Sequence, residues 1–134
     1  MTDANINDLS PELLTLYREW LMQCAAAGLA VKAIVTWRSS ADQNTAKAKG
    51  LSNAASGQSP HNCCSADGLP FSKAFDFACF DDDGKYITDG TDDTYRQAGE
   101  IGVQLGLVWG GNWTGFKDWD HLELANWKDG EQNV

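Results

Sequence analysis

The chain contains only two histidines, and a carboxylate-bearing segment lies between them. His61 follows a Ser-Pro pair, Asp76 lies in an apolar segment, and His121 follows an acidic, tryptophan-containing stretch. Two neutral imidazoles and one carboxylate are typical ligands of a catalytic zinc ion, whose fourth position stays open to water. We therefore predict a zinc site built from His61, Asp76 and His121.

Hydrolysis at such a site would also need a general base and a group that holds the substrate. Zinc lowers the pKa of a bound water from about 16 to about 7, and a nearby carboxylate could take its proton. Asp118 and Asp120 both lie close to His121, so either could act, although on a strand or a tight turn Asp120 would point away from the side of His121. Arg38 offers a rigid donor fork for a substrate carboxylate or carbonyl oxygen, but it could equally form a surface ion pair.

Composition restricts the classes of function that remain open. The 134 residues carry a formal net charge of -9, which argues against binding to nucleic acid or to an anionic membrane surface. No apolar run is long enough to span a bilayer, and the first residues do not resemble a secretory signal. We expect synthesis in a cytoplasm, where the four cysteines would be thiols. The length fits one domain, residues 1–134, with a core from about 9 to 127.

The spacing of apolar residues predicts three helices and a small sheet. The helices are expected at Leu9–Ala27, Asp42–Lys49 and Thr91–Leu105, and Leu51–Pro60 reads as a loop. Five short strands are expected at Leu29–Thr36, Ala74–Phe80, Tyr86–Ile87, Leu107–Trp109 and His121–Leu124. Side chains alternate between the two faces of a strand. Asp76 is therefore expected on the face away from its neighbouring phenylalanines, and His121 on the same face as Glu123. The fold class is α+β, with helices packed on one side of a mostly antiparallel sheet.

Four short motifs follow one another in the order found in one family of zinc peptidases. They are Trp37-Arg38-Ser39 with Gln43, Ser59-Pro60-His61, Ala74-Phe75-Asp76 and Asp118-Trp119-Asp120-His121. In this order they resemble the LAS-type metallopeptidases, named for lysostaphin-like, D-Ala-D-Ala and hedgehog-like domains. The nearest branch is the D-alanyl-D-alanine carboxypeptidase family, which includes phage L-alanyl-D-glutamate endolysins. The likeness extends from about Pro11 to Leu124.

The resemblance implies a fold, a substrate and roles for seven residues. The fold would be the single hedgehog-like domain of these peptidases, without a separate cell-wall-binding domain. The implied roles are zinc ligands for His61, Asp76 and His121, general base for Asp118, and substrate contacts for Arg38, Ser59 and Gln43.

The implied function is zinc-dependent hydrolysis of the stem peptide of bacterial peptidoglycan. We expect a monomeric phage endolysin that is made in the host cytoplasm, acts on the cell wall and cleaves the L-alanyl-D-glutamate bond. Cleavage of the terminal D-Ala-D-Ala bond by a carboxypeptidase with the same site is the alternative.

Three departures from the family pattern concern the neighbourhood of the site. Fourteen residues separate His61 from Asp76, so a longer loop containing Cys63 and Cys64 is inserted there. Ser72 stands where the family usually has glycine, and Asp120 stands where it often has proline or another neutral residue. The ligand residues themselves are intact, so the departures affect the substrate assignment more than the metal assignment.

Two functions of other classes remain open on the sequence alone. Cys63 or Cys64 could be the nucleophile of a thiol hydrolase, with His121 as its base. Alternatively, one of these cysteines could complete a closed zinc site with four protein ligands, which would have no water to activate. The protein would then be a non-catalytic binding module with structural zinc.

Overall fold

The computed structural model describes residues 4–50 and 59–128. Over these residues the chain forms three α-helices, α1 (Pro11–Ala26), α2 (Ser40–Ala48) and α3 (Asp93–Gln104). Its four strands are β1 (Ala30–Val35), β2 (Ala74–Phe80), β3 (Leu107–Trp109) and β4 (His121–Leu124). Single 3-10 turns occur at Ile6–Asp8, Pro60–Asn62 and Gly110–Asn112. No helix among the described residues is both long enough and apolar enough to cross a membrane.

The four strands form one sheet in the order β1-β2-β4-β3, and every neighbouring pair is antiparallel. The two central strands are therefore β2 and β4, which bear Asp76 and His121. In their register Asp76 lies directly opposite His121. Side chains opposite one another in an antiparallel pair lie on the same face, so this pairing brings the two residues together.

The other face of the sheet carries the hydrophobic core. Phe75 and Phe77 of β2 are fully buried and pack edge-on against Trp20 of α1. Tyr95 of α3 stacks on Phe77, and its hydroxyl accepts a hydrogen bond from the backbone N–H of Cys79. The helices α1 and α3 thus cover the apolar face of the sheet, as the α+β prediction requires. The opposite face is left for the polar residues of the site.

The predicted element bounds are correct for β2, β3 and β4, and those of β1 and the three helices differ by one or two residues at each end. The helix α2 begins at Ser40 rather than Asp42, because the hydroxyl of Ser39 caps it by accepting from the N–H of Asp42. The predicted strand Tyr86–Ile87 is wrong, since Tyr86 forms only an isolated bridge with Phe80. The predicted loop Leu51–Pro60 lies largely outside the described residues.

Candidate metal centre

Three chain segments bring His61, Asp76 and His121 to one place. The strand pair β2–β4 supplies Asp76 and His121, and the 3-10 turn Pro60–Asn62 supplies His61. This turn is held beside β1, because the N–H of Arg38 donates to the carbonyl of His61 over 2.9 Å. One nitrogen or carboxylate oxygen from each of the three residues lies within 4.8 Å of the other two, and all three side chains are buried.

The outer hydrogen bonds of the two rings decide which nitrogens face Asp76. Nδ1 of His61 lies 2.7 Å from the carbonyl oxygen of Thr36, which can only accept, so this nitrogen carries the proton. Nε2 of His61 lies 3.1 Å from Oδ1 of Asp76. His121 is turned the other way, with Nε2 2.8 Å from Oε1 of Glu123 and Nδ1 3.0 Å from the same Oδ1 of Asp76.

This arrangement has the donor chemistry of a metal site. In a neutral His61 the nitrogen that faces Asp76 is unprotonated, so its lone pair and the carboxylate oxygen repel each other. Only a cation bound between the two atoms removes this repulsion. A tetrahedral site with bonds of about 2.0 Å places its ligand atoms about 3.3 Å apart. The observed separations of 3.0 and 3.1 Å between the ring nitrogens and Asp76 are close to that value. His61, Asp76 and His121 therefore fit a metal ion such as zinc.

The carboxylates and imidazoles of the site shift one another's pKa values. Burial by itself would raise the pKa of Asp76, but the charge and hydrogen bonds of the two imidazoles outweigh it and lower that pKa. Burial would also favour neutral His121, yet its hydrogen bonds to Asp76 and Glu123 raise its pKa to about 10. Both shifts show that the buried carboxylates of this site attract positive charge.

Asp118 and Asp120 both lie near the three potential ligands. Oδ2 of Asp118 is 3.8 Å from Nδ1 of His121, and Asp118 is about a quarter exposed. The expectation that Asp120 turns away is wrong, because carboxylate oxygens of Asp76, Asp118 and Asp120 lie within 4.8 Å of one another. Asp120 belongs to the turn before β4, and the conformation of this turn directs its carboxylate towards those of Asp76 and Asp118. Burial, the charge of Asp76 and a hydrogen bond with Asp118 raise the pKa of Asp120 to about 9.

The residues predicted to contact substrate lie beside the same site. Nη2 of Arg38 is 3.9 Å from Oδ2 of Asp76, and its Nη1 donates to Oε1 of Gln43 over 3.0 Å. Arg38 is thus directed into the site rather than into a surface ion pair. The hydroxyl of the buried Ser59 accepts from the backbone N–H of His61, so it stabilises the turn that carries this ligand. Substrate contacts of Arg38, Ser59 and Gln43 stay predictions.

Sequence reasoning missed several residues that shape the site. Thr36 and Glu123 orient the two imidazoles, and only the position of Glu123, two residues after His121, gave a signal in the sequence. The indole of Trp113 packs on the His121 ring, with 5.1 Å between ring centroids, and forms a half-buried wall. Gly110 touches Asp118, because a Cβ added there would lie 2.3 Å from the Asp118 carbonyl oxygen.

Cys63 and Cys64 lie outside the potential ligand set. Among the described residues, neither thiol joins a cluster of three or more possible metal ligands. Cys63 is fully buried, and this burial raises the pKa of its thiol. The Cys64 thiol points to the carbonyl of Asn62 at 3.6 Å. These positions favour neither a cysteine nucleophile nor a fourth protein ligand from this loop.

The chain matches a protein-family model and a curated relative. The model of a family described as D-alanyl-D-alanine carboxypeptidase matches residues 52–124. The peptidoglycan L-alanyl-D-glutamate endopeptidase CwlK of Bacillus subtilis is 32% identical over 120 residues, which cover 77% of this chain and 66% of CwlK. The chain thus spans slightly less than two thirds of the length of that relative.

A solved structure shares the fold. The L-Ala D-Glu endopeptidase ChiX of Serratia marcescens superposes with a TM-score of 0.67 at 22% sequence identity, covering 93% of this chain and 89% of ChiX. The family match extends over more than half of the chain and contains the three potential metal ligands and Asp118. The chain therefore belongs to the D-alanyl-D-alanine carboxypeptidase family of peptidases.

Proposed function

We propose that this protein is a zinc-dependent peptidase that cleaves the stem peptide of bacterial peptidoglycan. The observation that carries the proposal is the convergence of His61 Nε2, His121 Nδ1 and Asp76 Oδ1 beside a partly exposed carboxylate, that of Asp118. Two imidazoles and one carboxylate leave a zinc ion one open position, as catalytic sites require.

Zinc held by these three residues supplies a Lewis acid that makes water a nucleophile near neutral pH. The chain supplies the remaining functions. Asp118 is the general base: its Oδ2 lies near the ligand atoms and its exposure leaves it open to solvent. It takes the proton of the attacking water and returns it to the leaving amine. Arg38, held in place by Gln43, binds a carboxylate or carbonyl oxygen of the substrate.

The bond proposed for cleavage is that between L-alanine and D-glutamate. CwlK and ChiX are both L-alanyl-D-glutamate endopeptidases, and this likeness supports the choice of bond, although the family as a whole is described as D-alanyl-D-alanine carboxypeptidase. We further propose that the protein acts as a monomeric phage endolysin on the host cell wall. Its resemblance to small endolysins supports that role.

Metal removal and restoration test the proposal. Purified peptidoglycan is incubated with protein that has been stripped by a chelator and with the same protein after one equivalent of zinc is returned. We expect peptide release only from the zinc-loaded sample, and no loss of release after iodoacetamide treatment. Release that survives chelation but not alkylation would instead indicate a thiol hydrolase. Bound zinc without any release would indicate a structural metal.

A further inference from the structure

The two imidazoles of the site differ in what holds their outer nitrogen. Nδ1 of His61 donates to a main-chain carbonyl, that of Thr36, whereas Nε2 of His121 faces the carboxylate of Glu123 at 2.8 Å. A hydrogen bond to an ionised acceptor is roughly twice as strong as one between neutral groups. His121 is therefore the ring whose orientation and basicity depend on a single side chain.

The position of Glu123 is fixed by the sheet. It lies on β4, which pairs on both sides, opposite Ala74 of β2 and Val108 of β3. Its side chain is buried beside His121, so its carboxylate has little room to move. The His121 ring lies between the carboxylates of Glu123 and Asp76 and contacts each through a different ring nitrogen.

We propose that Glu123 is a positioning residue for the metal, acting through His121. By accepting the proton on Nε2, it keeps Nδ1 unprotonated and directed at Asp76, and it makes the ring a stronger donor. Loss of a hydrogen-bond partner that orients a metal-binding histidine lowers metal affinity or activity by about 10–100-fold. This inference rests on the proposed zinc site, but it assigns a role to a residue that does not touch the metal.

Zinc affinity, measured without any substrate, tests the inference. The whole protein is stripped of metal and titrated with zinc in competition with a chromophoric chelator. Glu123→Ala removes the acceptor, and Glu123→Gln keeps an acceptor oxygen but removes the charge. Glu100→Gln is the matched control, because it makes the same charge change at an exposed residue whose partner is Arg96.

We expect Glu123→Ala to bind zinc about 10–100-fold more weakly, Glu123→Gln to be weakened several-fold, and Glu100→Gln to be unchanged. Nitrogen NMR of the imidazoles adds a second readout. Zinc-loaded unaltered protein should show His121 protonated on Nε2 alone, and Glu123→Ala should lose this single protonated form.

The outcomes separate this inference from the proposed function. If the unaltered protein binds no zinc, the proposed function fails. If it binds zinc but both Glu123 variants bind it equally well, only the role of Glu123 is overturned. Should Glu123→Ala not fold, Glu123→Gln decides the question, because unaltered affinity in that variant would also contradict the role of the carboxylate.

Discussion

Replacing Gly110 with alanine should reduce turnover without removing the metal. Gly110 begins the 3-10 turn after β3, and its carbonyl accepts from the N–H groups of Trp113 and Asp118 at 3.3 and 3.1 Å. Its backbone is not in the left-handed region, so alanine is allowed by φ. The obstacle is space, because the added Cβ would lie 2.3 Å from the Asp118 carbonyl oxygen and 3.0 Å from the Asp118 Cβ.

The size of the clash sets the expected loss. Ordinary van der Waals contact begins at 3.4 Å, so Asp118 must move by about 1 Å. A misplacement of about 1 Å can cost about 100-fold in rate, which corresponds to about 2.7 kcal/mol of activation free energy. The overpacking should also lower the free energy of unfolding by about 1–3 kcal/mol. The clash does not fall on the three potential zinc ligands, so we expect metal binding to persist. Zinc content must be measured, because the Asp118 carbonyl also accepts a hydrogen bond from the N–H of His121 over 3.3 Å.

The assay compares kcat for muropeptide hydrolysis with zinc content and chemical denaturation. Gly111→Ala is the matched control, since its added Cβ would lie 2.3 Å from the Trp109 indole rather than against Asp118. We expect both variants to lose stability and Gly110→Ala to lose far more kcat. Unaltered kcat in folded, zinc-loaded Gly110→Ala would refute the idea that this contact positions a catalytic Asp118. Equal losses in both variants would indicate general damage to the loop.

Three further predictions concern the site and the buried thiol of Cys63. Asp118→Ala should retain zinc and lose about 100-fold or more in kcat, whereas His121→Ala should lose both the zinc and the activity. Metal analysis and peptide release measure the two properties. Zinc loss in Asp118→Ala would contradict the assignment of Asp118 as the general base. Arg38→Lys should raise KM about tenfold with a smaller change in kcat, because lysine lacks the planar donor pair of the guanidinium group. An unchanged KM in steady-state kinetics would exclude a contact between Arg38 and the substrate. Cys63 should resist alkylation by iodoacetamide in the folded protein, because burial raises the pKa of its thiol. Peptide mass mapping measures the alkylation. Rapid labelling of Cys63 with loss of activity would contradict this prediction.

Much of the fold could be predicted because local pattern and tertiary role agree. The segment Ala74–Phe80 alternates between small or acidic residues and bulky apolar ones, and the structure confirms its strand bounds. Tyr86–Ile87 combines an aromatic and a β-branched residue, as strands favour, but Tyr86 forms only a bridge. Its short length leaves too few hydrogen bonds for a strand, and sequence pattern does not report that number.

The candidate site could be predicted in its residues but not in its contacts. The meeting of Asp76 and His121 follows from the register of β2 on β4, which is a property of the whole sheet. Asp120 was misplaced because the conformation of the turn before β4 sets its direction, and sequence spacing does not specify that conformation. The contact of Gly110 with Asp118 depends on a loop conformation that leaves no periodic signal in the sequence.

Mass spectrometry of purified muropeptides, incubated with the zinc-loaded protein, would show both whether the protein is a peptidase and which bond it cleaves. We expect cleavage after L-alanine, which frees a peptide that begins with D-glutamate. Loss of a single terminal D-alanine would instead identify a carboxypeptidase with the same metal site. Intact muropeptides, with zinc confirmed to be bound, would contradict the claim that this site is a peptidase.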